Sequence, residues 1–112
     1  MSPGDVSYWP AQTDQATLDL TAGDLLQAAA EEEGERLALV VAAPNENARC
    51  WTYQQLWQDA RRAAHWLLAR FSPGERVVVW APNVPEWIIL QYGAALAGLV
   101  LVTANPALRA SE

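Results

Sequence analysis

One histidine, one cysteine and one run of carboxylates are the side chains best able to do chemistry in this 112-residue sequence. His65 could act as a base or a metal ligand if a second imidazole or thiol shared its helix face. None stands nearby, so a solvent-exposed histidine is expected. The run Glu31-Glu32-Glu33 raises the idea of a metal. Adjacent glutamates fan out around a helix and do not converge, so a solvated last turn is expected, slightly opposed to the helix dipole. Cys50 is the single cysteine, which excludes an internal disulfide and any multi-cysteine metal site. It reads as a packed, reduced thiol in a cytoplasmic protein.

Phosphate chemistry is the next candidate. The stretch VVVWAPNVPEW, residues 77–87, reads as a strand that feeds a helix through a tight turn. Many α/β proteins bind a phosphate at such a junction, using glycines so that bare backbone N–H groups can approach the anion. This turn holds Pro82 and Pro85 and no glycine. Prolines fix φ and aim the helix but offer no N–H, so the turn reads as a structural corner. A dinucleotide fingerprint is absent, because Gly93 and Gly98 lie in and after the helix. That sets aside a nicotinamide-dependent dehydrogenase domain.

These residues must be positioned by a small set of elements. Thr21 and Asp24 form a cap for a first helix, with Leu20 and Leu25 as a hydrophobic staple, and the helix runs to Gly34. Leu37 to Ala42 reads as a strand, Pro44-Asn45-Glu46-Asn47 as a turn, and Arg49 to Trp51 as a short returning strand. Thr52 and Gln55 form a second capping box, with Trp51 and Leu56 as the staple, so the second helix starts at Tyr53. Tyr53, Leu56, Trp57, Ala60, Ala64, Leu67, Leu68 and Phe71 then fall on one continuous face, and Ser72-Pro73-Gly74 ends the helix. Val77 to Ala81 has no polar alternation, the pattern of a strand covered on both faces in a parallel sheet. A third helix follows over 85–97, with Asn83 as cap and Glu86 answering it. Trp87 to Leu96 is apolar nearly all round, so this helix is expected to be buried on most sides. Leu99 to Thr103 completes a right-handed βαβ unit. The fold class is therefore α/β: a partial parallel sheet with flanking helices. Residues 1–20 are expected to form an extended arm, with Tyr8 and Trp9 as anchors onto something larger, and residues 21–112 the α/β part.

Charge and hydropathy close off further classes. The net charge is −6, and all seven basic residues are arginine. The first 48 residues hold nine acids against one arginine; the rest hold six arginines against four acids. No basic face exists to displace counterions from a nucleic acid. The uncharged stretch from Trp87 to Leu108 is long enough to span a bilayer. Gln91, Gly93, Gly98, Asn105 and Pro106 interrupt it, and a helix, a glycine stop and a buried strand explain it better. The start, Met-Ser-Pro-Gly-Asp, lacks the basic-then-apolar pattern of a secretion signal.

The ordered segments SYWPAQT, TAGDLLQAAAEEEGERLALV, WTYQQLWQDARRAAHWLL, PGERVVVWAPNVPEWIILQYGAALAGLVLV and TANPALRASE together resemble the N-terminal region of the acyl-adenylate-forming (AMP-binding) synthetases. The arm and the ending NPALRASE are most similar to the fatty-acyl-CoA synthetase branch. The resemblance implies an ATP-dependent ligase, which makes an acyl-adenylate and then a coenzyme A thioester, with Mg2+ accompanying ATP. The family's phosphate loop, a Ser/Thr/Gly-rich stretch ending in Pro-Lys-Gly, is not present here. Nor is its C-terminal lysine, since the chain has no lysine. A pentacoordinate phosphate needs cations placed on it. The chain alone is therefore expected to be non-catalytic, with no catalytic or metal-ligating residue of its own and no cofactor bound tightly. It reads as the opening subdomain of an enzyme, interrupted as the next helix starts at Ser111-Glu112. By resemblance, Asn105 and Arg109 could border a coenzyme A channel; the plain alternative is a strand-ending Asn-Pro and a surface arginine. The expected partner is the rest of a ligase chain, or a second copy through apolar surface. A free-standing docking domain that associates with a full-length ligase is the rival reading.

Overall fold

The computed structural model describes residues 7–42 and 48–109. Among these, helix α1 spans Ala22–Glu33, strand β1 Leu37–Val40, strand β2 Cys50–Thr52, helix α2 Tyr53–Leu68, strand β3 Arg76–Trp80, helix α3 Pro85–Leu96 and strand β4 Val100–Ala104. The turn expected at 44–47 lies outside the described residues.

Both capping boxes form. The Thr21 hydroxyl accepts from the Asp24 N–H at 3.1 Å, and Asp24 accepts from the Thr21 N–H at 3.0 Å. Thr52 and Gln55 do the same at 3.2 and 2.9 Å. Each box satisfies two of the orphan N–H groups of a first turn, which is why both helices start where the sequence places them. The third helix differs. Its cap is Val84, with extended backbone and no side-chain capping bond. Pro85 excludes the helical region for the residue before it. Val84 must stay extended, the helix begins one residue later than an Asn83–Glu86 box would require, and Asn83 does not cap.

Among the described residues the strands form two separate pairs. β1 and β2 are antiparallel, with a register shift between Leu37 and Leu39. β3 and β4 are parallel, from Arg76 opposite Val100 to Trp80 opposite Ala104. The parallel pair and α3 make the expected β–α–β unit. At its base, Gly74 and Gly98 adopt φ of 89° and 69°, the left-handed region that favours glycine. The Gly74 N–H donates to the Gly98 carbonyl at 2.8 Å, and the Val100 N–H donates to the Glu75 carbonyl at 2.9 Å. Two loops are thereby clipped together where the strands begin.

The core follows the α2–α3 contact. One cluster joins Ala64 and Leu67 of α2 to Ala94, Ala97 and Leu99, with Val77 and Leu101 of the sheet packed on it. The other joins Leu26 of α1 to Leu56 and Ala60, with Trp51 and Ile88 alongside. The helices meet closely because the contact is built of small residues. A Cβ added to Gly93 would stand 2.7 Å from the Ala63 Cβ and 3.2 Å from the Ala60 carbonyl oxygen.

Three expectations about burial are corrected. Leu68 is exposed, because its position rotates it off the stripe that meets α3. Cys50 is exposed rather than packed, at the start of the short edge strand β2. β3 is covered on one face only: Val79 is buried, whereas Val78 and Trp80 are 64% and 66% exposed. Tyr8 and Trp9 of the arm are both exposed.

Candidate functional site

Parallel strands end together, so the loops after β3 and β4 share one edge of the sheet. α/β sheets bind ligands outside the carboxyl ends of their strands, which makes this edge the place to look. It carries the Pro82–Pro85 turn on one side and the loop from Asn105 to Arg109 on the other.

The proline turn is held from outside. Arg49, just before β2, donates to the Glu86 carboxylate in the first turn of α3. The same guanidinium lies 4.9 Å over the Trp51 ring. The Arg49 hydrogen bond holds the Glu86 carboxyl below the usual range, with help from the Glu86 backbone N–H. A helix N-terminus attracts anions through its free N–H groups and its dipole. Here Pro85 has no N–H to offer, and Glu86 already supplies the negative charge. The turn braces α3 against the β1–β2 hairpin.

The loop after β4 is also committed to itself. The Asn105 carboxamide oxygen accepts from the Ala107 N–H at 2.9 Å, and the Leu108 N–H donates to the Asn105 carbonyl at 3.0 Å. This side-chain turn follows from asparagine before proline. Arg109 is exposed and engaged in a contact of its own. The structure thus puts Asn105 and Arg109 on one loop at the right edge of the sheet. The Asn105 side chain closes a local turn just after β4.

Most of the arginines have local partners. Arg36 pairs with Glu33 at 3.5 Å, and Arg62 pairs with Asp59, which also accepts from the Trp51 indole N–H at 2.9 Å. Arg61 lies 5.8 Å from the Trp57 ring and Arg70 3.9 Å from the Trp66 ring. His65 is exposed on α2. Among the described residues no group of three or more His, Cys, Asp or Glu could hold a metal ion. The glutamate run does fan out: Glu31 accepts from the Gln27 amide at 3.0 Å, and Glu33 faces Arg36. Arg36, Arg49, Arg61, Arg62 and Arg70 thus lie against tryptophans and carboxylates in different elements and do not converge on one point.

One feature had no sequence signal. An open groove of about 510 Å³ lies between the end of β1 and the start of α3, lined by Leu39, Val41, Val84, Pro85, Trp87 and Ile88. Its walls come from segments more than 40 residues apart, and no local pattern marks such a meeting.

The fold and this edge define an α/β scaffold of the kind that carries a ligand site on its loops. Comparison with known proteins makes that class specific. The family described as "AMP-binding enzyme" matches residues 26–112. The rat mitochondrial medium-chain acyl-CoA ligase ACSF2 is 38% identical over 110 residues, covering 97% of this chain and 17% of the rat protein. The human protein of the same name is 36% identical over the same length. Among solved structures, the N-terminal domain of FACL13 from Mycobacterium tuberculosis superposes with a TM-score of 0.75 at 32% identity, covering 82% of this chain and 23% of that one. The chain belongs to the AMP-binding enzyme family and resembles the N-terminal part of its acyl-CoA ligases. It spans about one-sixth of the length of these curated relatives. Among the described residues, no helix is long and apolar enough to cross a membrane.

Proposed function

We propose that this chain is the opening scaffold of an ATP-dependent fatty acid–CoA ligase, and that by itself it does not adenylate a carboxylic acid. In the whole enzyme the reaction is acyl-adenylate formation followed by thioester formation with coenzyme A, with Mg2+ accompanying ATP. One observation carries the reading. At the carboxyl edge of the β3–β4 pair, where a ligand would sit, Glu86 and Asn105 are bound to their own loops and neighbours. An adenylation site needs preorganised cations aimed at the developing charge on phosphorus. Here Arg49, Arg61, Arg62 and Arg70 engage neighbouring side chains instead, and the sequence has no lysine. The residues shape and hold a sheet edge on which other parts of a ligase can build. The exposed thiol of Cys50 suits a reducing compartment such as the cytoplasm.

The test is pyrophosphate release by the purified chain supplied with ATP, Mg2+ and a medium- or long-chain fatty acid. No release above the protein-free rate is expected. Release that scales with chain concentration and survives rigorous removal of contaminants would overturn the proposal. A second reading, a free-standing domain that docks on a complete ligase, draws on the exposed apolar residues of the sheet.

A further inference from the structure

The three helices begin in two different ways. α1 and α2 each close their first turn with a capping box, whereas α3 opens on Pro85 with no side-chain cap. The first N–H groups of a helix have no partner within it, so an uncapped start needs another hold. For α3 that hold is Glu86, the second residue of the helix, gripped by Arg49. The grip continues beyond Arg49. Its guanidinium lies 4.9 Å over the Trp51 ring. The Trp51 indole N–H donates to Asp59 Oδ2 at 2.9 Å, and Arg62 donates to Asp59 Oδ1. Glu86, Arg49, Trp51, Asp59 and Arg62 thus form one line of contacts. It runs from the first turn of α3, across β2, to α2.

We propose that Trp51 and Asp59 are positioning residues for the start of α3. Asp59 fixes the Trp51 ring, the ring orients Arg49, and Arg49 holds Glu86 and with it the proline turn. Arg49 and Trp51 stand two apart in extended chain, so their side chains leave on one side. A free arginine has many rotamers to lose on binding a carboxylate; one already stacked on a fixed ring has fewer. The ring is fixed twice. Its apolar body packs on the cluster of Leu26, Leu56 and Ala60. Its N–H, which needs an acceptor when half-buried, sets the orientation through Asp59. The Asp59 side chain is only 23% exposed, and Arg62 steadies its other oxygen. The edge of the sheet where an α/β fold builds a ligand site is therefore set, at the α3 side, from α2. This goes beyond the ligase reading and does not depend on whether the chain adenylates anything.

The test turns on a sign. Asp59 is an anion, and by charge alone its removal would let a neighbouring carboxyl ionise more easily and lower the Glu86 pKa. If Asp59 acts through Trp51, its removal frees Arg49 from Glu86, and the Glu86 pKa rises. Carbon-13 NMR of the side-chain carboxyls follows the Glu86 titration in the parent chain and in Asp59→Ala, Asp59→Asn and Trp51→Phe variants. The midpoint should move up toward the ordinary glutamate value in Asp59→Ala. It should do so in Trp51→Phe as well, which keeps a ring under Arg49 but has no N–H for Asp59. It should stay at the parent value in Asp59→Asn, whose amide oxygen still accepts from the indole. A midpoint that is unchanged or falls in Asp59→Ala, or that rises as far in Asp59→Asn, would overturn the proposal. Should the Asp59 and Trp51 variants fail to fold, the link is read in reverse from Glu86→Gln, a change at an exposed side chain. Coupling is reciprocal, so the Trp51 indole hydrogen should exchange with solvent about 2-fold faster or more in Glu86→Gln, the scale of an exposed ion pair. The Trp66 indole, stacked with Arg70 elsewhere on α2, should keep its parent rate. Unchanged exchange at Trp51 would overturn the proposal. Either failure leaves the pyrophosphate test untouched, so the two readings fall separately.

Discussion

The seam between α2 and α3 and the open face of the β3–β4 sheet are both apolar, yet they differ in almost every other respect. The seam is made of alanines, a glycine and Leu67, and it is closed so tightly that one added methyl at Gly93 has no room. The open face carries larger side chains, Trp80 among them, and no described residue closes it. The contrast separates two uses of hydrophobicity. Small residues at the seam hold the chain together; the large residues on the open face stay in contact with solvent.

The seam should therefore respond to mutation and the open face should not. The largest effect is expected for Leu67→Ala. Leu67 is the largest fully buried side chain among the described residues, and removing it should cost about 2–5 kcal/mol through lost burial and the cavity left behind. Urea denaturation should show a lower midpoint at an unchanged slope. Gly93→Ala tests the seam in the opposite sense. The new methyl meets the Ala63 Cβ and the α2 backbone, and overpacking of this kind costs about 1–3 kcal/mol. A Gly93→Ala variant as stable as the parent would show that the helices slide apart freely, and the contrast between the two regions would weaken. On the open face, Val78→Thr should shift the stability of the isolated chain by no more than about 0.5 kcal/mol, as exposed positions do. A large loss there would mean that the face is already covered.

The smallest effect lies between the two regions, at Glu86. Arg49 lowers its pKa in the folded chain. A lowered carboxyl pKa adds stability at pH values above the unfolded pKa, and that stability is lost as pH falls through the folded value. Thermal midpoints measured from pH 6 downward should decline, and the Glu86→Gln variant should decline less over the acid window below about pH 4.3. Asp24, lowered by its bonds with Thr21, behaves in the same direction and stays intact in that variant. Identical curves for parent and Glu86→Gln would remove Arg49–Glu86 as a brace.

Much of this architecture was legible because its signals are local. The two capping boxes announce themselves within four residues, and the α2 stripe repeats at helical spacing; both appear where the sequence put them. The β–α–β unit was legible for the same reason. What failed depended on neighbours. Val77 to Ala81 carries the composition of a doubly covered strand, but composition reports where a segment is meant to sit, not what covers it in this chain. Asn83 matched a capping pattern that Pro85 overrides. Cys50 took its expected burial from residue type, whereas an edge strand exposed it. At the sheet edge, the sequence showed the prolines and Asn105. It could not show that Arg49, 37 residues from Glu86, would reach across to it.

The two left-handed glycines at the base of the parallel pair have a consequence for the whole surface. Because Gly74 and Gly98 hold their loops to each other, they fix which residue of β4 lies beside Arg76. A slip of a single position would turn Trp80's valine neighbours inward and present the polar Thr103 in their place. Two residues without side chains therefore decide which way the molecule faces its environment.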